Sequence, residues 1–83
     1  MQKYANATQL AKILGLHPET VRRRKQVIEQ EMELGRYNQY AIAGNLISVP
    51  VFLDCHKYFY LLTDNLLHDS APAFNEKEAM RYL

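Results

Sequence analysis

From Leu10 to Met32 the hydrophobic residues of this chain recur at helical spacing, from Tyr40 to Val49 they alternate, and from Val51 to Leu67 they run almost unbroken. Leu10, Ile13 and Leu14 make a one-sided stripe with Lys12 left to solvent, which predicts a short amphipathic helix. Asn6 precedes it, with Gln9 three residues on: a capping box in which each side chain answers the other's backbone N–H. Gly15 marks the end, because glycine takes a left-handed C-cap conformation without strain. Leu16 then plugs the turn. Pro18, whose missing N–H has no partner in a first turn anyway, opens a second helix expected to reach about Leu34, with Gly35 as its stop. At about 100° per residue, Val21, Ile28 and Met32 share the inward face of that helix, with Arg24 and Lys25 on its two margins. Glu19, Arg22, Arg23, Gln26 and Gln30 point outward.

Ala11, Gly15 and Val21, flanked by Leu10, Leu14 and Leu16, have helix-turn-helix spacing: a small residue at the crossing, a turn glycine, and a β-branched residue facing back. The bland alternative is a pair of structural helices with no ligand. The alternating stretch predicts a β-hairpin of Tyr40–Ala43 and Leu46–Val49 about a two-residue Gly44-Asn45 turn. Tyr40 and Ile42 would face inward from one strand, Ile47 and Val49 from the other. Pro50 ends the second strand, and the run from Val51 to about Leu67 reads as a third helix. Residues 68–73, with Pro72, read as a linker. Asn75 is a plausible N-cap for a short last helix with Glu76 and Glu78 in its first turn. The expected fold class is mainly α with a small β-hairpin wing. Residues 1–67 would form a winged helix-turn-helix, and residues 68–83 a C-terminal linker and short helix packing on it or extending from it.

Charge gives the two-helix unit a function. The net charge of +1 is unevenly spread: residues 1–28 carry six bases against Glu19 alone, and residues 29–83 four bases against eight acids. A basic pole on an otherwise acidic protein points toward phosphate. Its densest part is Arg22-Arg23-Arg24-Lys25, directly after the turn, for which the bland alternative is a solvated helix face. The expected contacts to double-stranded DNA are Glu19, Thr20, Arg22, Arg23, Arg24, Lys25 and Gln26, with Asn45 at the hairpin tip. Outward residues near the start of the second helix would meet base edges. Arg24 and Lys25 would lay their stems along the core and reach phosphates.

The ordered set Tyr40, Ile42, Gly44, Val49, Pro50, Leu53 and Tyr58, following the helix-turn-helix, resembles the excisionase-like, MerR-related winged-helix DNA-binding proteins. The likeness covers residues 3 to 62. The tail Ala71-Pro72-Ala73-Phe74-Asn75 is also similar to that of small proteins of this type from bacteriophages and mobile elements. The resemblance implies a cytoplasmic, non-enzymatic protein that bends or marks an attachment site for an integrase, or regulates a nearby promoter. Three features depart from the family pattern. The hairpin tip Asn45-Leu46-Ile47-Ser48 lacks arginines, Arg24 stands where an apolar residue is usual, and the segment before the hairpin is longer.

Other chemistries find little support. With a single cysteine, Cys55, no intramolecular disulfide can form, which fits a reducing cytoplasm. The polar stretch Met1 to Ala7 and the lack of an apolar run of about 20 residues speak against a signal peptide and a membrane span. Adjacent Cys55 and His56 diverge by about 100° on a helix and cannot share an ion, and no Cys-x-x-Cys or His-x-x-x-His spacing exists. No cofactor is expected. Nor is there a nucleophile elbow or phosphate-binding glycine loop, so no enzyme is expected. Tyr58-Phe59-Tyr60-Leu61-Leu62 leaves two readings open. Either the hairpin and C-terminal helix bury it, or Tyr58, Phe59, Tyr60 and Leu62 form a partner interface for a homodimer, a DNA-templated oligomer, or an integrase or repressor. The competing function class is a protein-interaction module, an antirepressor or assembly adaptor, on the same fold without DNA contact.

Overall fold

A computed structural model describes residues 3–81. Met1, Gln2, Tyr82 and Leu83, which fall in the expected domain ranges, lie outside the described residues. The elements follow in the order β1 (Tyr4–Asn6), α1 (Ala7–Leu14), α2 (Pro18–Leu34), β2 (Ile42–Ala43), β3 (Leu46–Ser48), α3 (Val49–Lys57), α4 (Phe59–Leu62), a 3₁₀ turn (His68–Ser70) and α5 (Glu76–Met80).

Local signals act as expected in the first half. Gln9 donates its N–H to Asn6 Oδ1 at 2.8 Å, and Asn6 donates its own to Gln9 Oε1 at 2.9 Å. Gly15, at φ 65°, closes α1, and Gly35 stops α2. The N-cap of α2 is His17, whose Nδ1 accepts the Glu19 N–H at 3.1 Å, a cap outside the usual Ser, Thr, Asp and Asn set.

The sheet is antiparallel with three strands in the order β1-β3-β2. Gly44 takes φ 63° in the two-residue turn, so Ile42 faces Ile47 and Ala43 faces Leu46. The unexpected partner is β1, with Tyr4 opposite Ser48, Ala5 opposite Ile47 and Asn6 opposite Leu46. Only one of its side chains, Ala5, is buried, so there is no alternation to read, but Ala5 and Ile47 are both at 0% exposure. The first hairpin strand is shorter than expected, and Tyr40 is not inward: it is 66% exposed. Asn38 makes the reason plain. Its side chain accepts the Tyr40 N–H at 2.8 Å and its carbonyl the Ala41 N–H at 3.1 Å, a turn that rotates Ala41 into the core instead. Val49 likewise belongs to α3 rather than to the strand.

The third helix departs most. It ends at Lys57; Tyr58, at φ −105° and ψ 17°, breaks it, and only one further turn, α4, follows. Turn chemistry competes beyond: the Thr63 hydroxyl donates back to the Phe59 carbonyl, and Asp64 Oδ1 accepts the Leu66 N–H. Within α3, the seven residues Val49 to Cys55 are all buried, because α2, β3, α4 and α5 pack around it. α5 begins at Asn75, whose Oδ1 accepts the Glu78 N–H at 3.0 Å, and it buries Ala79. The radius of gyration, 11.7 Å, matches the value of about 12 Å for a compact chain of this length. The result is a small, compact, mainly helical domain with a three-stranded antiparallel sheet.

Candidate nucleic-acid interface

α1 packs against α2 with Leu10 and Val21 buried, and with Ala11, Leu14 and Leu16 on the same core. Ile13 does not complete the stripe. It is 53% exposed, because α1 rests on its Leu10–Leu14 edge and leaves Ile13 at the far margin.

The buried residues of α2 are Val21, Val27, Ile28 and Glu31, while Met32 is half-buried. With Val21 at 0° and about 100° per residue, these four spread over about 120° on one side, and Arg24 falls near the middle. Arg24 is therefore not at a margin of the inward face but at its centre. Its guanidinium lies over the Phe59 ring, 3.6 Å from the centroid, and its Nε donates to His56 Nδ1 at 3.3 Å. Its carbonyl accepts from the Cys55 thiol at 3.6 Å. Burial lowers the pKa of Arg24. It also lowers that of His56, with the charge of Arg24 adding to the effect, which keeps the ring neutral as an acceptor. The helix break at Tyr58 sets Phe59 beneath this inward-facing arginine.

Arg22 and Arg23 face water. Arg22, Arg23, Gln26 and Glu19 are exposed, and Thr20 and Lys25 are half-buried. Arg22 donates to Glu19 Oε1 at 2.7 Å, and that bond holds the Glu19 carboxyl below its ordinary pKa. Arg23 and Lys25 make no ion pair or hydrogen bond among the described residues. Asn45 sits exposed in the turn of a separate element, the hairpin, and no lysine or arginine lies between Arg36 and Lys57. The α2 residues are thus brought together on two faces, and Asn45 stands apart from them.

Two buried polar clusters have no counterpart in the hydrophobic pattern. Arg36 Nη2 and Nε donate to Asp54 Oδ2 at 2.8 and 3.0 Å, and the Tyr37 hydroxyl donates to the same oxygen at 2.6 Å. The side chains of Arg36 and Asp54 are 10% and 5% exposed. Burial works against the Arg36 charge, but Tyr37 and Asp54 more than offset it, and its pKa is raised. Burial, then Asp54, pushes the Tyr37 hydroxyl far up. One signal does point there: Asp54 is the lone acid within Val51-Phe52-Leu53-Asp54-Cys55, where an acid needs a partner. The second cluster is Glu31 with His68, which holds the stretch read as a linker against α2.

Of the aromatic segment, Leu62 belongs to the core at 7% exposure, and Tyr58 and Phe59 pack against it. They are not available to a partner as a continuous seam. Tyr60 is 67% exposed, and beyond it Leu66 and Leu67 are 94% and 44% exposed. Among the described residues no group of three or more His, Cys, Asp or Glu is placed to hold a metal, and no helix is long and apolar enough to cross a membrane. No family model, curated protein or solved structure matches this chain.

Proposed function

We propose that the chain is a winged helix-turn-helix protein that binds double-stranded DNA, with α2 as its recognition helix and the β2–β3 hairpin as its wing. The observation that carries this is the exposed pair Arg22 and Arg23, with the half-buried Lys25 beside them, on the first turns of α2, directly after the Gly15 turn that sets α2 across α1. Arg23 is the leading candidate for base-edge contact, being exposed and without an ion pair among the described residues. Arg22 must leave Glu19 or bring it along. Arg24 acts as a spacer that holds α2 to α3 and α4. Asn45 can touch the backbone only as a neutral donor, so the wing contributes position more than charge. The excisionase-like resemblance favours a recombination directionality factor or a small promoter regulator of a phage or mobile element. For a homodimer, a DNA-templated oligomer, or an integrase or repressor partner, this part of the chain offers the exposed Tyr60, Leu66 and Leu67.

Duplex binding as a function of salt tests this. Two phosphate-neutralising side chains, Arg22 and Lys25, give a slope of log K against log salt near about −1.8. The cation-free hairpin tip and the exposed Tyr60 favour the interaction module instead. A flat salt response, or no binding at low salt, would select it.

A further inference from the structure

The C-terminal segment is fastened to α2 by groups that take no part in the basic face. Glu31 points inward with its side chain 2% exposed, and His68 Nε2 lies 2.9 and 2.8 Å from its two oxygens. Thirty-seven residues separate the two, so the contact is purely tertiary. From His68 the chain passes Ala71, which packs on the core, and Phe74, whose ring meets that of Tyr37 edge-on at 5.3 Å. It then reaches α5, seated on α3. An open hollow lined by Glu31, Arg36, His68, Asp69 and Phe74 gives water access to the imidazole, whose side chain is 30% exposed.

We propose that residues 68–80 are a proton-dependent strap, latched onto α2 when His68 is charged and loosened, with the rest of the fold intact, when that proton leaves. A buried carboxylate without a counter-charge is costly, and the charge at hand for Glu31 is that of His68. The other groups facing the pair do not replace it. Arg36 lines the same hollow, but its guanidinium is committed to Asp54. Cys55, on α3, is pushed up to about 12 by burial and stays neutral. Asp69 Oδ1, 3.4 Å from His68 Nδ1, reinforces the charged ring. The bond to Glu31, and after it the one to Asp69, raises the pKa of His68 above the ordinary 6.5. The latch is therefore fully made below the unfolded value and is lost as pH rises through the folded one.

Hydrogen exchange on the full chain without DNA, from about pH 5.5 to about pH 8.5, tests the strap independently of the nucleic-acid proposal. The reporters are the amides of Ala71 and Ala79, which bond within the strap to the carbonyls of His68 and Asn75. After correction for intrinsic exchange, their protection should fall with pH, tenfold for each unit by which docking raises the His68 pKa, while α2 and α3 keep theirs. His68→Gln, a neutral donor at every pH, should flatten that profile. Ring-proton NMR of the wild type, which needs no variant to fold, should find His68 titrating above the ordinary histidine value. A variant profile as steep as the wild type's, or a wild-type His68 titrating at the ordinary value, would overturn the strap.

Discussion

The two ends of α2 use arginine in opposite ways. At its start Arg22 and Arg23 stand in water, the first touching only Glu19 and the second with no ion pair among the described residues. Just past its end, Arg36 is enclosed, with Nε and Nη2 of its guanidinium on Asp54 and the Tyr37 hydroxyl on the same carboxylate. The side chain is the same; burial and partner decide its work. An enclosed guanidinium bound through Nε and Nη2 to a buried carboxylate holds the fold together. An exposed one adds little to stability and is available to phosphate or a base edge. Arg24 lies between these extremes, half-buried on Phe59.

The largest effect should come from breaking the enclosed end. Asp54→Ala leaves Arg36 buried without its counter-charge and should cost about 3–5 kcal/mol of stability in urea unfolding. A loss below about 1 kcal/mol would put Arg36 in the class of surface pairs and erase the contrast. At the exposed end the readout changes from stability to binding. Arg23→Ala should lose about 1–3 kcal/mol of discrimination between a specific and a random duplex. Its urea midpoint should stay within about 0.5 kcal/mol of wild type. If competition binding leaves both duplexes unaffected, the exposed start of α2 is not the reading surface.

Arg24 sharpens the comparison because it should register in both measurements. Arg24→Ala removes the stack on Phe59 and should destabilise by about 0.5–2 kcal/mol, with weaker binding to every duplex. Arg24→Lys keeps the charge and loses the planar stack, so it should recover only part of that stability. Full recovery would show that the positive charge matters and the ring contact does not. The smallest effect belongs to Arg22→Ala. The side chains of Arg22 and Glu19 are both exposed, so a double-mutant cycle on the pair should give a coupling near the error of urea titration, and less still in high salt.

Much of the front half of the molecule is legible in the amino-acid sequence alone, because its signals act within a few residues. Asn6 and Gln9 cap each other, Gly15 and Gly35 close the helices they follow, and Gly44-Asn45 turns the hairpin, all through groups at most three positions apart or through a single residue's own backbone. The outward positions of Arg22, Arg23 and Gln26 follow from helical geometry in the same way. Tertiary structure decided what depends on distant partners. Strand β1 exists because Ile47 gives Ala5 a place to pack. The third helix breaks at Tyr58, so Phe59 comes under Arg24, and a residue expected to reach for phosphate becomes part of the packing. Glu31 reads as an ordinary polar position until His68 arrives from 37 residues away, and Asp54, conspicuous as a lone acid in an apolar run, meets its partner only when Arg36 arrives from 18. Hydrophobic periodicity ranks positions by their own polarity. It cannot say which charged residue will meet a partner good enough to be buried, since that choice rests on desolvation offset by a contact made only once the chain has closed.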